Sequence, residues 1–374
     1  MRLRYVSTIE LPSSLANRIQ ILQVSDAFSH RVNDFALFVR SYKNLARVRK
    51  EYAIGSFRIE QFRVQRIPGF QAVQYLFKVM KKLRGERPDF IYVREPILAA
   101  VLSLFYNVVF ELHKKDDTFI EKVCYFILSK RVRGIITVNK NLNKVFKRYG
   151  CQAPVRAEPD GVVIENFSLS GTKDKYRKKC GLPKGKSIIG YVGRLTTMGV
   201  DKGFEHVLRA LNVLKSKRKD FIFLNVGVLP SERAGLEEST RKHGLSDLVV
   251  MREYVPFKDV PLYLKSCDVL IIPYPWTEHF AYYMSPLKLF EYMASGVPIV
   301  SSDLPAIKQI LENGKNGVLY THDDDAAFAN ALDRVLSDSS FSSKIAGQAR
   351  KDVEHYTWDN RAKRIVQLLK KCAA

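Results

Sequence analysis

The chain has 374 residues, of which 46% are hydrophobic and 26% are charged, and its formal net charge is +23 at neutral pH. So high an apolar content excludes a mostly disordered chain, and the length predicts two or three domains. The positive charge favours anionic partners, namely nucleic acid, phosphorylated small molecules or an acidic membrane surface.

Short β-rich runs alternate with helical stretches over the first 165 residues. The predicted strands are 3–7, 35–38, 89–93, 108–112 and 134–138. The predicted helices are 14–29, 96–105, 119–128 and 140–149. Alternation of this kind is typical of right-handed βαβ units, in which helices cover both faces of a parallel sheet.

A polar and basic stretch, residues 166–185, interrupts this alternation, and we interpret it as an interdomain linker that contains a short helix. The alternation then resumes. The predicted strands are 188–192, 221–226, 248–251, 269–272 and 298–301. The predicted helices are 203–215, 231–243, 260–266, 287–293, 326–336, 342–353 and 358–371. The sequence therefore predicts two Rossmann-like, doubly wound domains, 1–165 and 186–355, followed by a C-terminal helix within 356–374.

The cysteine pattern and the chain's apolar runs predict a cytoplasmic protein. Five cysteines without CxxC spacing argue against a disulfide framework or a zinc site. Arg2 and Arg4 interrupt the first apolar run, so we expect no signal peptide. The longest apolar run, residues 97–110, is too short to span a bilayer.

Ligand-binding and catalytic residues are expected in the loops that follow strands. Two doubly wound domains that face each other leave a cleft, and ligands bind at the carboxyl ends of the strands. Gly193 ends one predicted strand, and Arg194 and Lys202 bracket the loop that leads into the next helix. Backbone amides at that helix start, together with these two cations, suit a diphosphate, although an ordinary solvated loop is the alternative.

A second such segment begins at Ser285. Pro286 stands in the first turn of a predicted helix, so the amides of Leu287 and Lys288 lie at the positive end of the helix dipole. Glu291 lies one turn further on and could accept hydrogen bonds from the vicinal hydroxyls of a ribose. The alternative is a surface glutamate, which its apolar neighbours disfavour.

The third candidate is His113, which ends the run Phe110-Glu111-Leu112-His113 at the close of a predicted strand. An imidazole at this position could bind a sugar hydroxyl or stabilise charge. A purely structural histidine is the alternative.

Taken together, four motifs resemble the family-four retaining glycosyltransferases, which have the GT-B fold. They are Gly193-Arg194-Leu195 with Asp201-Lys202-Gly203, Pro159-Asp160-Gly161-Val162, Glu111-Leu112-His113, and the block 286–298. The resemblance covers about residues 150–320 and continues more weakly, in the right order, over 1–150. It implies two Rossmann-like domains with a cleft between them, and a C-terminal helix that packs back toward the N-terminal domain.

The resemblance also implies roles for individual residues. Arg194 and Lys202 would hold the donor diphosphate, and the amides around Ser285–Lys288 would hold its distal phosphate and sugar. Glu291 would bind the donor ribose. His113 would act as the catalytic residue that contacts the transferred sugar near its anomeric carbon.

Two departures from the family pattern concern the sugar. The family's two glutamates are separated by seven residues, but the position eight before Glu291 is Tyr283. Glu278 lies five residues earlier and is the available acid. Ser13 and Ser14, in the loop that would face donor and acceptor, stand where glycines are common in the family.

The function that the resemblance implies is transfer of a hexose, with retention, from a UDP- or GDP-linked sugar, without a metal or any cofactor. The acceptor would be lipid-linked or a polysaccharide at the cytoplasmic membrane face; a soluble or protein acceptor and an epimerase-like enzyme are the alternatives. Asp323-Asp324-Asp325 formally matches a metal motif, but it directly precedes a predicted helix, where a capping role is favoured.

The distribution of charge suggests where the acceptor side lies. The first 165 residues hold 29 basic and 15 acidic side chains, and the remaining 209 hold 32 and 23, so the first part is more basic per residue. Residues 75–87 form a basic amphipathic helix that could lie on an anionic leaflet, or pack its apolar side into the core. No stacking platform or recognition-helix motif supports nucleic-acid binding, so we expect none.

Overall fold

The computed structural model describes residues 1–12, 16–65, 67, 70–115, 118–197 and 200–373. The chain divides into two compact units. The first comprises Met1–Gly161, Tyr283–Ser285 and Trp358–Ala374, and the second comprises Val162–Tyr282 and Pro286–Thr357. The domain limits predicted from the sequence stay predictions.

The first unit is built around a seven-stranded parallel sheet. The described strands of this unit, including a separate pair formed by β2 and β4, are β1 (Arg2–Val6), β2 (Glu10–Leu11), β3 (Asp34–Val39), β4 (Ser41–Tyr42), β5 (Arg58–Gln61), β6 (Phe90–Val93), β7 (Val108–Leu112), β8 (Gly134–Thr137) and β9 (Val155–Ala157). The order in the large sheet is β5-β3-β1-β6-β7-β8-β9, and β2 pairs with β4 alone. The central strands are short apolar runs buried on both faces, as expected of a parallel sheet that helices cover.

Helices alternate with these strands along the described part of the chain. They are α1 (Ala16–Ser29), α2 (Leu45–Tyr52), α3 (Gln71–Glu86), α4 (Pro96–Ser103), α5 (Phe119–Arg131) and α6 (Asn143–Lys147). Pro96 starts α4, where its missing N–H costs nothing, and Thr118 and Glu121 form a capping box at the start of α5.

The second unit contains a six-stranded parallel sheet in the order β14-β13-β10-β15-β16-β17, and a small antiparallel pair, β11-β12. The strands are β10 (Ser187–Val192), β11 (Thr196–Thr197), β12 (Val200–Asp201), β13 (Phe221–Val228), β14 (Val249–Glu253), β15 (Val269–Ile272), β16 (Ile299–Ser302) and β17 (Val318–Tyr320).

The remaining helices complete both units. They are α7 (Lys173–Cys180), α8 (Phe204–Lys217), α9 (Pro230–Lys242), α10 (Val260–Ser266), α11 (Leu287–Ser295), α12 (Asp325–Ser337), α13 (Ser339–Asp352) and α14 (Trp358–Ala373). The last helix, α14, returns to the first unit, where it packs against α1 and β8. Across the described part of the chain, no helix is both long and apolar enough to cross a membrane.

The predicted helix over 140–149 is wrong in its details. A short tight turn, Lys140–Leu142, precedes α6, and α6 ends at Lys147. The reason is local, because the Asn139 side chain accepts a hydrogen bond from the Asn141 amide and starts the tighter turn. The predicted helix over 14–29 is described from Ala16 onward, and Ser14 lies outside the described residues.

Candidate active site

A cluster of positive charge lies at the carboxyl end of β10 in the second unit. The Lys288 ammonium stands 4.4 Å from the centre of the Tyr191 ring, and its Nζ donates a hydrogen bond of 3.3 Å to the Tyr191 hydroxyl. Gly193 has a φ of +139°, and a Cβ at this position would collide with Lys288 Nζ. The backbone turn therefore favours glycine, and a larger residue here would also displace the end of the Lys288 side chain.

Lys202 and Arg194 belong to the same cluster. Lys202 Nζ donates a hydrogen bond of 2.9 Å to the Arg194 carbonyl. Burial and the charge of Arg194 lower the pKa of Lys202 to about 8. Burial and the charge of Lys202 lower the pKa of Lys288, with Glu291 acting in the opposite direction. A half-buried site that gathers positive charge attracts anions, and a diphosphate has suitable charge and geometry for it.

The first amides of α8 have a partner within the loop. The Asp201 carboxylate accepts hydrogen bonds of 3.0 Å from the amides of both Gly203 and Phe204. The expectation that amides at this helix start help to hold the diphosphate stays a prediction. The groups of this loop that are suited to bind an anion are the Arg194 guanidinium and the Lys202 ammonium.

Helix α11 is positioned by a residue that sequence reasoning missed. The Val192 amide, at the end of β10, donates a hydrogen bond of 2.9 Å to the buried Tyr292 hydroxyl in α11. The helix begins at Leu287, with the extended Pro286 before it, and among the described residues no side chain caps it. The amides of Leu287 and Lys288 thus belong to an uncapped helix N-terminus, as the sequence predicts.

Glu291 is half-buried in α11, one turn beyond Leu287. Burial raises its pKa to about 7, and the positive charge of Lys288 opposes this rise. A carboxylate in this position can accept hydrogen bonds from hydroxyl groups once a bound ligand displaces water. Its role toward a ribose stays a prediction.

His113 lies in the first unit beside a buried carboxylate. Its Nε2 contacts the Glu111 carboxylate, which the Tyr92 hydroxyl also contacts. Arg361, from α14, forms an ion pair of 3.1 Å with Glu111, and the two side chains are 1% and 3% exposed. Although burial alone would raise it, Arg361 and His113 hold the pKa of Glu111 well below its usual range.

The imidazole of His113 is neutral at pH 7. Burial, aided by the nearby charge of Arg94, lowers the pKa of His113 to about 4. Because the ionised Glu111 can only accept, the neutral ring donates its Nε2–H to that carboxylate and keeps Nδ1 as an acceptor. The role expected of His113 toward a transferred sugar stays a prediction, but the chemistry available to it is that of a hydrogen-bond acceptor.

The Pro159-Asp160-Gly161 motif lies near the same buried arginine. Arg361 Nε donates to the carbonyls of Glu158 and Pro159, at 3.2 and 3.0 Å. Burial raises the pKa of Asp160 to about 7, and the amide of Asp160 donates to Ser285 Oγ at 2.9 Å. Ser285 is thereby part of the first unit, whereas Leu287, Lys288 and the rest of α11 belong to the second.

The remaining predicted site residues are placed as follows. Tyr283 belongs to the first unit and is partly buried against its core. Glu278 is exposed in the second unit, immediately before the π-helical turn His279–Tyr283. Ser13 and Ser14 lie outside the described residues.

The acidic run before α12 is a cap. The Asp324 side chain accepts a hydrogen bond of 2.8 Å from the Ala327 amide, and Asp325 pairs with His206 and Arg209. Within the described ranges, no group of three or more His, Cys, Asp or Glu side chains is arranged to hold a metal ion.

These two doubly wound units define a protein of the GT-B class, the fold of many nucleotide-sugar-dependent transferases. Residues 172–352, a little under half of the chain, match the family described as glycosyl transferases group 1. This match confirms the glycosyltransferase resemblance seen in the motifs of the sequence.

Individual relatives agree with this assignment. An uncharacterized glycosyltransferase of Methanocaldococcus jannaschii is 32% identical over 200 residues, which are 53% of this chain and 48% of the relative. A D-inositol 3-phosphate glycosyltransferase of Corynebacterium urealyticum is 29% identical over 226 residues, which are 58% of this chain and 51% of the relative. The chain thus spans about half the length of these curated relatives.

Among solved structures, HepE of Anabaena in complex with UDP-glucose is similar to this chain with a TM-score of 0.79. The two are 18% identical, and the similarity covers 99% of this chain and 100% of HepE. This likeness shows that the fold extends over nearly the whole chain.

Proposed function

We propose that the chain is a glycosyltransferase that moves a hexose from a UDP- or GDP-linked sugar to an acceptor hydroxyl, with retention and without a metal ion. The observation that carries this proposal is the cluster of Arg194, Lys202 and Lys288. Burial and nearby like charge lower the pKa values of two of its three cations, Lys202 and Lys288. A cluster of positive charge of this kind attracts a multiply charged anion.

The same cluster supplies the electrostatic part of the mechanism. When the bond between sugar and diphosphate breaks, negative charge grows on the leaving phosphate oxygens. Ammonium and guanidinium groups already held in place stabilise that charge without having to reorganise. A pair of half-buried lysines can take the part that a divalent cation plays at other phosphate sites, which is why we propose metal independence.

Retention follows, in this proposal, from attack by the acceptor hydroxyl on the face that the diphosphate leaves. The leaving phosphate is the base closest to that hydroxyl, so its proton passes to the departing diphosphate. No protein nucleophile is required. The binding of UDP and UDP-glucose by HepE of Anabaena supports UDP as the first donor to test.

For the acceptor, we propose a lipid-linked or polysaccharide hydroxyl at the cytoplasmic face of a membrane. The excess of basic residues in the first part of the chain supports an anionic surface as partner. A soluble acceptor is the second candidate, because one relative carries a name that refers to D-inositol 3-phosphate.

Thermal unfolding in the presence of EDTA, with UDP, GDP and their sugars as ligands, tests the donor proposal. At least one nucleoside diphosphate should stabilise the protein, by about 3 kcal/mol at a hundredfold excess over its dissociation constant. The Lys202→Ala and Glu291→Ala variants should respond less, whereas Lys344→Ala, an exposed lysine of the same unit, should respond like the wild type. Absence of stabilisation by every nucleoside diphosphate would refute the proposal.

A further inference from the structure

Three helices of the first unit cover the same face of its sheet. The buried residues Val79 of α3, Leu102 of α4 and Leu128 of α5 all belong to one core cluster with the central strands. Right-handed crossovers from β5 to β6, β6 to β7 and β7 to β8 require this arrangement. The side of these helices that faces away from the cluster is the outer surface of the unit.

That outer surface carries a second set of apolar side chains. In α3, Val73 and Phe77 are exposed, and Phe77 is 70% exposed. In α5, the exposed set includes Phe119, which is 80% exposed, and Phe126 one helical repeat further on. Ile97 in α4 is exposed as well, as is Phe105 just after it.

A helix at the surface of a soluble domain normally has one apolar stripe, directed toward the core. Helices α3 and α5 each have two. The spacing of Phe70, Val73 and Phe77, and that of Phe119, Val123 and Phe126, places each exposed set along one side of its helix. An apolar surface of this kind, spread over three adjacent helices, marks a binding surface.

Basic side chains accompany the apolar ones. Helix α3 holds four basic residues and one acidic residue, and α5 holds three basic residues and one acidic residue. Lys81 and Arg84 of α3 are exposed, and so are Lys122 and Lys130 of α5. Exposed aromatic groups interleaved with cations match the two layers of an anionic bilayer, in which acyl chains lie beneath negatively charged headgroups.

The charge also argues against a second copy of this chain as the occupant. Self-association through this surface would bring the basic residues of one copy against those of the other, and such like-charge contacts are costly. Anionic lipid neutralises the same residues.

We propose that the exposed sides of α3, α4 and α5 form a membrane-docking surface that inserts its aromatic side chains into an anionic bilayer. This deepens the proposed function by naming the partner surface for a membrane-borne acceptor, and in that sense it rests on that function. Docking itself requires no donor. The sequence pattern points to residues 75–87 either for this role or for packing into the core, and the structure places Tyr75, Val79 and Leu83 of that helix in the core.

Co-sedimentation with vesicles tests the proposal. The full chain should bind vesicles of equimolar phosphatidylcholine and phosphatidylglycerol, and should bind pure phosphatidylcholine vesicles weakly. The double variant Phe119→Ser/Phe126→Ser should lose about tenfold or more in affinity, because two exposed rings no longer insert. Lys81→Glu/Lys122→Glu should lose the preference for phosphatidylglycerol, whereas the matched control in the second unit, Lys344→Glu/Lys351→Glu, should bind like the wild type.

The proposal would be overturned if the Phe119→Ser/Phe126→Ser variant bound vesicles as tightly as the wild type. It would also be overturned if the wild type bound neither kind of vesicle. A wild-type dimer that the same substitutions dissociate, without vesicle binding, would assign the surface to a second copy and overturn it equally. Thermal unfolding of every variant, measured with and without UDP or GDP, checks folding separately. If neither UDP nor GDP stabilised the wild type, the proposed donor would be refuted and the vesicle result would stand alone.

Discussion

Lys288 is held between the ring of Tyr191 and the backbone turn at Gly193, with Lys202 close enough to lower its pKa. A lysine in such a place is costly unless it has a task, because burial and like charge both disfavour its ammonium form. The arrangement prepares positive charge before the ligand arrives. A flexible surface lysine would have to reorganise during binding, whereas Lys288 is already held in place.

Replacement of Gly193 by alanine should disturb this arrangement. At a φ of +139° the alanine is strained, and its Cβ displaces the Lys288 ammonium. We expect the free energy of unfolding to fall by ~1–3 kcal/mol and diphosphate affinity to fall with it. Chemical denaturation and calorimetry measure the two effects.

The matched control for that substitution is Gly185→Ala, since a Cβ added at Gly185 meets no atom within 4 Å. It should change the free energy of unfolding by less than ~1 kcal/mol. Equal effects of the two substitutions would contradict the account given for Gly193.

The His113 imidazole should titrate far below the usual range of histidine. NMR of the ring carbons should show protonation near pH 4 in the folded protein, and the His113→Asn variant assigns the signal. The low pKa of His113 also makes the free energy of unfolding depend on pH. Between pH 6.5 and 4 the unfolded chain binds a proton that the folded imidazole does not, so stability falls as pH falls through this range.

The free energy of unfolding that is lost through His113 amounts to ~3 kcal/mol once the pH is below its pKa values in the folded and unfolded states. The slope of stability against pH between 6.5 and 4 should therefore be smaller in His113→Asn. Titration of His113 near pH 6.5 in the folded wild type would show that its burial and its neighbours do not act as described.

Some of these residues could be identified from the sequence and others could not. Arg194, Lys202 and Glu291 follow strands or begin helices within recognisable motifs, so local spacing is enough to identify them. Arg361 and Tyr92 meet Glu111 only because α14 and β6 converge on β7 in the folded unit. No sequence spacing connects them, and a buried arginine in an amphipathic helix resembles any exposed one.

The C-terminal helix α14 is more than a cover for α1 and β8. Through Arg361 it neutralises Glu111, and Glu111 in turn holds the imidazole of His113. Its Arg364 forms a second ion pair of 2.7 Å with Glu158. The helix therefore connects the last residues of the chain with the strand ends of the first unit.

Substitution of Arg361 by methionine keeps the apolar part of the side chain and removes the charge. Glu111 is then buried without its ion-pair partner, and we expect a loss of about 3–5 kcal/mol in the free energy of unfolding. Because the charge of Arg361 also lowers the pKa of His113, that pKa should rise in the variant. A merely structural role for Arg361 would leave the His113 titration where it is.

Arg31→Met is the matched control, because Arg31 pairs with Asp359 of the same helix at the protein surface. A surface ion pair contributes about 0–1 kcal/mol, so this variant should stay close to the wild type. A similar loss in both variants would indicate that α14 depends on its contacts in general and not on the buried charge.

At the scale of elements, the interior strands of the two large sheets were predictable. Of the edge strands, β14 was predictable, but β5, β9 and β17 were not. Strands β1, β6, β7 and β8 are apolar runs that a sequence pattern identifies. Strand β5 lies at the edge of the sheet and reads Arg58-Ile59-Glu60-Gln61, with only Ile59 buried. An edge strand needs one buried face at most, so its sequence resembles a loop.

At the scale of the whole molecule, the basic residues behind the net charge of +23 lie in at least two places. A small part belongs to the cation cluster of the second unit, which in the proposed function binds a diphosphate. A larger part lies in the first unit, and some of its basic residues lie on α3 and α5 beside the exposed apolar side chains. The sequence could show the excess of charge in the first part of the chain, but only the fold shows which aromatic residues it accompanies.

Calorimetric titration of UDP and GDP in the presence of EDTA tests the central claim, that Arg194, Lys202 and Lys288 form a site for a nucleoside diphosphate. The wild type should bind at least one of the two, and should bind the matching monophosphate more weakly. Lys288→Met should lose about 1.5–3 kcal/mol of binding free energy, the contribution of a hydrogen bond to a charged group, while Lys344→Met binds like the wild type. The claim would be contradicted if Lys288→Met bound the nucleoside diphosphate as tightly as the wild type, or if the wild type bound neither UDP nor GDP.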